Sequence, residues 1–578
     1  MNNAQIAAKF DMLADLLEFQ GANSFRIRAY RNASRTIEGL SQQISDLLED
    51  KSQKLTDLEG IGKDLADKCQ VLVETGKLPQ LEELQSKIPQ SVLAMLRIPG
   101  LGPKKAAVIY KELGIATLED LREACQQERV RALKGFGAKT EQTILNGIDL
   151  AATAEQRVYW AKADQLVARL REHLESVAGI DRLTFAGSYR RGKETVGDID
   201  ILTVADSATA AMDRLGEFPE LEEVIARGDT KMSIRLVNNM QVDLRVVPAK
   251  SYGAAMQYFT GSKEHNVKIR GIAKQLGLKV NEYGVFKVEE NGDETYVAGE
   301  TEEDVYGALD LPWFPPELRE NREEFKLAES GGFPALITVE DIVGDMHMHT
   351  DATDGVNTLE EMIEAAIAKG YKYIAITDHS KRVSMANGLN AERLLDQWKT
   401  IDQLNKKYDG QIQILKGLEC DILEKGGMDL PDDVLSQGDW IIASVHYGQN
   451  QPKEQITDRI IGALENPNIC IVAHPTGRLL NRREPYEVDL EAVLQCAKEN
   501  RKFVELNANP ARLDLNDIQC HAAKQRGIPI GINSDGHKIE GLEVMRYGIM
   551  QARRAGLTKE DVVNTRPWKE IQKLLGRT

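Results

Sequence analysis

The chain is short of cysteines and aromatics and has no long apolar run. Its six cysteines, Cys69, Cys125, Cys420, Cys470, Cys496 and Cys520, are scattered through 578 residues without a CxxC pair. That argues against a disulfide framework or a cysteine-type zinc site and fits reduced thiols in a cytoplasmic setting. No stretch approaches ~18 uninterrupted apolar residues, so no membrane span is expected. The opening MNNAQIAAKFDMLADLLEF lacks a basic region followed by an apolar block, so no secretory signal is read. A basic excess is missing too: 90 acidic residues face 73 basic ones, for a net charge of −17. That excludes a simple basic-tail nucleic-acid binder. Much of the acidity is local, in ENGDE, GETEEDV and ELRENREE between residues 281 and 340, which read as a solvated face and linker. The first 280 residues are near neutral, which leaves room for positive patches against phosphates. Composition is otherwise globular, and the length predicts several domains of roughly 100–200 residues each.

Residues 1–150 read as short helices separated by glycine-containing turns. Apolar residues recur at helical spacing in IAAKFDMLADLLEF and LPQLEELQSKIPQSVLAML. One pattern occurs three times: LEGIGKDLADKC (58–69), IPGLGPKKAAVIY (98–110) and LKGFGAKTEQTIL (133–145). The pairs Gly60/Gly62, Gly100/Gly102 and Gly135/Gly137 permit a tight turn that bares backbone N–H groups. The helix that follows adds the partial positive charge of its N-terminus, with Lys104 and Lys139 in two of the first turns. Such a turn can hold a phosphate without reading a base. The repeat resembles the helix-hairpin-helix motif of DNA-binding proteins, and three copies predict contact with a DNA backbone.

Residues 155–178 read as a long helix. RLTFAG, DIDILTVA, KMSIRLV and MQVDLRVV then read as strands of an α+β unit. A mixed segment runs to about residue 315, and Pro315–Pro316 marks a boundary near 312–338. Beyond residue 340, YIAITDH, QILKGLECD, DWIIASVH, CIVAHP, FVELNAN and PIGINSD alternate with helical segments. That alternation predicts parallel strands closed into a barrel, with residues after the strand ends gathered at one mouth.

The densest chemistry lies in GSYRRGKETVGDIDILTV (187–204). Asp198 and Asp200 stand two apart on a predicted strand and so share a face. Asp243 lies on another predicted strand. Like charges on one face repel unless a cation or protons compensate, and oxygen-only ligands favour Mg²⁺ or Mn²⁺. Gly187, Ser188, Arg190 and Arg191 offer backbone donors, a hydroxyl and cations for phosphates. Carboxylates for metals beside donors for a polyphosphate predict nucleotidyl transfer.

This segment resembles the fingerprint of the family X DNA polymerases. The resemblance continues in YFTGSKEHN (258–266) and covers roughly residues 1–315. It implies a helical lyase-like domain (1–85), fingers (86–150), a nucleotidyltransferase palm (151–252) and a thumb (253–315). It also implies that Asp198, Asp200 and Asp243 hold two metal ions, with Asp243 on the primer side helping to activate the 3′-OH. Ser188 and Arg191 match triphosphate contacts, with Gly187 beside them and Gly197 at the adjoining turn. Tyr258, Phe259 and Gly261 match the segment lining the sugar, Asn266 a contact to the base edge, and Arg245 a partner of the carboxylates. Lys263 departs from the eukaryotic pattern, which is acidic there, and is expected to help bind nucleotide before metal. Lys68 matches the Schiff-base lysine of 5′-deoxyribose-phosphate lyases. Asp64 replaces a lysine one turn before it and Asp67 is adjacent, so phosphate contact or a surface role is the preferred reading.

Of nine histidines, six follow predicted strands after residue 340: His347, His349, His379, His446, His474 and His537. Asp354, Glu419 and Asp535 accompany them. Mixed imidazole and carboxylate ligands suit Zn²⁺, Mn²⁺ or iron, and nine ligands exceed what one ion can use. Such clusters activate water and stabilise charge on a phosphoester. The pattern resembles the PHP (polymerase and histidinol phosphatase) domain, over 339–578. That resemblance implies a distorted (β/α)₇ barrel with a site for up to three Mn²⁺ or Zn²⁺ ions, and it places Arg478 and Asn507 in phosphate-binding loops.

The whole is read as a multidomain α/β and α+β protein: helical domains, palm and thumb, a linker at 316–338 and a barrel. Its expected function is DNA-directed synthesis filling short gaps in base excision repair, with a 3′→5′ exonuclease in the barrel. Abasic-site endonuclease and 3′-phosphatase activities are further expectations. Its partners would be gapped or primer-template DNA and dNTPs, with no membrane, and a monomer is expected. Two alternatives stay open: a non-templated nucleotidyltransferase joined to a small-molecule phosphatase, and an inactive DNA scaffold.

Overall fold

The computed structural model describes all residues except 2, 39, 41–43, 50–53, 59, 89–91, 93–94, 96–97, 99–100, 139, 143, 146–147, 149–156, 177, 290–291 and 578. Gly100 and Lys139 therefore lie outside the described residues. The chain forms two compact units, Met1–Gln156 and Arg157–Thr578.

The first unit is helical. Leu65, Cys69 and Leu72 recur at helical spacing along Lys63–Thr75 and face its core. That helix begins on Gly62 and stops at Gly76 in the left-handed region. Helix Pro103–Leu113 begins on Gly102, with proline at its first position. The turns before these helices need glycine for different reasons. Gly60 and Gly135 have φ of +81° and +87°, which a side chain resists. Gly62, Gly102 and Gly137 do not have positive φ, and an added Cβ would meet nothing within 4 Å.

Among its described residues the second unit contains three sheets of three or more strands. The first has five strands in the order Ile180–Phe185, Asp198–Ala205, Gln241–Val246, Lys231–Leu236 and Leu221–Arg227. The second and third of these pair in parallel and the other pairs are antiparallel. Helices Trp160–Glu175 and Ala208–Gly216 contribute to its core. Leu221–Arg227 was not foreseen; its run of mostly exposed residues, with Glu222 and Glu223, hides the alternation a half-buried strand shows. Helices Tyr252–Thr260 and Lys263–Gln275 follow, with a three-stranded antiparallel sheet over 278–298.

The third sheet has seven parallel strands in chain order, from Gly344–Asp345 to Ile530–Asn533. Six of the seven are buried at every position, five of them as continuous apolar runs require. A parallel bridge between Met348 and Gly536 joins the two edges, so the sheet curls into a nearly closed barrel.

Asp293, Glu294, Glu300, Glu303, Asp304 and Asp310 of the acidic stretch 281–340 are exposed, in keeping with a solvated face, but three of its acids depart from that character. Glu302, Glu317 and Glu324 are buried. Glu302 takes ion pairs from Arg190 and Arg319, Glu317 from Arg553, and Glu324 meets His265. These three acids tie the segment to its neighbours. All six cysteines are free and buried. Among the described residues, no helix is long and apolar enough to cross a membrane.

Candidate active sites

Strand pairing builds the first site. Asp200 and Asp243 are direct partners on adjacent parallel strands, and Asp198 lies two residues earlier, on the same face. Burial, with Asp198 and Asp243 beside it, pushes the Asp200 carboxyl up to about 7. Burial and Asp243 likewise raise that of Asp198. Lys231 Nζ lies 3.8 Å from Asp243, and Gln241 donates to Asp243 at 3.2 Å. Three crowded carboxylates whose burial and mutual repulsion outweigh the nearby Arg157, Arg191, Arg245 and Lys231 fit oxygen-ligated divalent ions. Arg157 faces Asp198 electrostatically, and neither it nor Lys231 was singled out from the sequence.

Gly187 opens a short helical turn, Gly187–Arg190, against these acids. Its φ is +64°, and a Cβ there would meet Asp200 Oδ2 at 2.6 Å. Ser188 Oγ is buried without a hydrogen-bond partner among the described residues. Gly197 is equally confined, by Arg157. Arg191 bonds Glu320 through Nε at 3.0 Å and donates to the Thr260 carbonyl. Arg190 is corrected: both its terminal nitrogens bond Glu302 at 2.8 Å, so it anchors the following domain instead of facing phosphates.

Tyr258 and Phe259 meet edge to face at 5.1 Å, and Arg245 stacks over Phe259 at 4.3 Å. Arg245 also acts electrostatically on Asp200. Gly261, at φ +70°, lies against Arg191. Lys263 is exposed at the first turn of its helix. Asn266 is largely buried, accepting from Gln257 and donating to the Tyr258 carbonyl, each at 2.7 Å. In the first unit, Lys68 pairs with Asp64 and lies 5.7 Å from the Tyr30 ring centroid.

The second site sits at the barrel mouth. Nine side chains converge there. His349, Asp354, His379 and His537 form one group, His347, His349 and Asp535 a second, and His379, Glu419 and His446 a third. Within each group the ligand atoms lie within 4.8 Å of one another. His474 joins through Glu419 at 3.0 Å. Both ring nitrogens of His349 and Nδ1 of His474 are buried without a hydrogen-bond partner among the described residues. Orphaned imidazoles of this kind fit metal ions. Burial and the neighbouring His537 and His379 hold His349 down to about 3, so it is a neutral donor. Burial also opposes the charge of His379, yet Glu419 and Asp354 outweigh it and lift that ring to about 10. His474 and Asp535 adopt positive φ, +29° and +52°, a strain that recurs at functional sites.

Supporting groups orient these ligands. Glu505 bonds His347 Nδ1 at 2.7 Å and the His474 amide at 2.8 Å, and Asp421 bonds His446 Nδ1 at 3.1 Å. Arg478 and Asn507 are corrected. Arg478 is buried in bonds to Glu194 and the Leu513 carbonyl, and Asn507 in bonds to Asp535 and Glu505. Arg512 is the arginine lining the mouth, 3.5 Å from Asp535, beside a cavity of about 240 Å³ whose rim includes Val383 and Met385. It lies five residues beyond strand Phe503–Asn507, in a loop that the strand-end rule already sends to the mouth, yet it was not singled out from the sequence.

Residues 157–263 match the DNA polymerase beta palm, 255–320 its thumb, and 345–509 the PHP domain. Residues 1–78 match a helix-hairpin-helix domain and 92–149 a SAM-like helix-hairpin-helix tandem. The chain belongs to the family X DNA polymerases that carry a C-terminal PHP domain. It is 39% identical over 579 residues to the DNA polymerase/3′-5′ exonuclease PolX of Bacillus subtilis (strain 168), covering 100% of both chains. It is also 31% identical over 237 residues to a "Probable phosphatase" of Thermoanaerobacter sp. (strain X514), covering 39% of this chain and 91% of that one. A "Probable phosphatase" of Caldicellulosiruptor saccharolyticus is 34% identical over 204 residues, 33% of this chain and 79% of its own.

Proposed function

We propose that this chain is a DNA-directed DNA polymerase that fills short gaps during base excision repair and trims 3′ ends with a 3′→5′ exonuclease in its barrel. The observation that carries the reading is the coexistence of two separate ligand clusters in one chain, one all-oxygen and one rich in imidazole. Full-length similarity to a DNA polymerase/3′-5′ exonuclease disfavours both an untemplated transferase and an inactive scaffold.

Asp198, Asp200 and Asp243 would hold two Mg²⁺ or Mn²⁺ ions, and the nine barrel ligands up to three Mn²⁺ or Zn²⁺ ions. Bound there, such ions supply Lewis acidity and lower the pKa of a coordinated oxygen. The protein's own part is positional. The amides opening the Gly187–Arg190 turn, the Ser188 hydroxyl and Arg191 receive the triphosphate. Tyr258, Phe259 and Gly261 line the sugar, and Asn266 keeps one amide proton for a base edge. Glu505 and Asp421 hold the imidazoles in one tautomer, and Arg512 receives the phosphate of the strand being cut. Gly60, Gly62, Gly102, Lys104, Gly135 and Gly137 contact the DNA backbone. Abasic-site endonuclease and 3′-phosphatase chemistry suit the same barrel mouth.

A one-nucleotide gap bearing each template base in turn tests this. Incorporation of the complementary dNTP alone supports the reading, and incorporation independent of the template base contradicts it. Borohydride trapping on an incised abasic substrate should leave no Lys68-linked adduct, because Asp64 already pairs with that ammonium.

A further inference from the structure

The turn that carries Gly187, Ser188 and Arg191 does not rest on its own domain alone. It lies against helix Met545–Arg554 of the barrel. A Cβ on Gly192, whose φ is +65°, would meet Met550 Cγ at 2.3 Å, so the turn's backbone and that helix are in direct contact. Arg554 reaches across the same junction. Its Nη1 donates to the Arg191 carbonyl at 2.8 Å and to Glu320 Oε1 at 2.9 Å. Glu320 Oε1 in turn accepts Arg191 Nε at 3.0 Å. The other nitrogen, Nη2, is tied to Asp517 at 2.8 Å, and Asp517 also takes Arg322 at 3.0 Å. The side chain of Arg554 is 3% exposed and those of Glu320 and Arg191 11% and 12%, so these bonds are shielded from solvent. Charge-assisted bonds in such a setting hold geometry closely.

We infer that Arg554, a barrel residue far along the chain from the polymerase motifs, is a positioning residue for nucleotide binding in the palm. It braces the Arg191 backbone directly and the Arg191 guanidinium through Glu320. The inference rests on the reading of Arg191 as a triphosphate contact. Polymerase affinity for dNTP then depends on the barrel's presence and docking, independently of the barrel's own chemistry.

Lysine at 554 keeps the charge but cannot serve the Arg191 carbonyl, Glu320 and Asp517 in the same geometry. In the full-length protein, R554K should raise the dNTP KM roughly tenfold in single-nucleotide gap filling, with kcat within about twofold. Exonuclease activity should stay within about twofold. Glu320→Gln, which leaves Arg554 in place, should shift KM the same way. In an Arg191→Ala background R554K should add little, because coupled residues are non-additive. An unchanged dNTP KM in both R554K and Glu320→Gln, with Arg191→Ala raising it, overturns the inference alone. An unchanged KM in Arg191→Ala overturns the triphosphate reading beneath it.

Discussion

Asp200 is where burial and charge meet most sharply. Its carboxyl is pushed to about 7 from an ordinary 3.8, so its proton stabilises the native state. That stability is complete below pH ~4 and is lost as pH rises through 7. Asp200→Asn is neutral at every pH. In chelator at pH 7.5 it should therefore be more stable than the parent, on the order of 2 kcal/mol, and the difference should close as pH falls toward 4. Thermal unfolding of the two proteins measures this, and an Asn variant no more stable at pH 7.5 would contradict it. Lys263 makes a second test. Lys263→Ala should weaken dNTP binding several-fold without divalent ions and much less with them, read by fluorescence titration. Same-face placement of Asp198 and Asp200 was legible because strand period is two. The engagement of Arg190 by Glu302 and of Arg478 by Glu194 was not, since each partner lies more than a hundred residues away. An arginine near a phosphate motif looks free in sequence until its acid is found in space.

Among the elements, the glycine turns of the first unit carry a distinct test. Gly102 has φ −68° and open space around its Cβ position, so neither backbone nor packing demands glycine. Gly102→Ala should cost about 1 kcal/mol or less in stability. It should nevertheless weaken binding to gapped duplex several-fold, because the methyl stands where a phosphate approaches the bare amides. Thermal unfolding and fluorescence anisotropy separate the two effects; a loss of stability matching the loss of affinity would contradict the phosphate role. The barrel strands were the easiest elements to foresee, as they are buried runs bounded by chemistry. The three-stranded sheet over 278–298 was not read: Val285, Phe286, Tyr296 and Val297 suit strands, but Glu289, Asp293 and Glu294 interrupt the alternation between them.

Taken as one molecule, the second unit is less modular than its sequence suggests. The segment expected to be a solvated linker instead supplies Glu317, Glu320 and Arg322 to the junction with the barrel. Glu194 from the palm is bonded by both Arg478 and Gln551 of the barrel. These contacts join distant parts of the chain, so local patterning carries no trace of them. Two chemistries nevertheless remain on separate ligand sets. Synthesis and degradation on a single gapped, 5′-phosphorylated duplex, followed for the parent, Asp198→Ala/Asp200→Ala and His347→Ala/His349→Ala, probe that separation most directly. The first variant should lose extension by at least about a thousandfold and keep its exonuclease, and the second should do the reverse. Loss of both activities in either folded variant would contradict two independent centres.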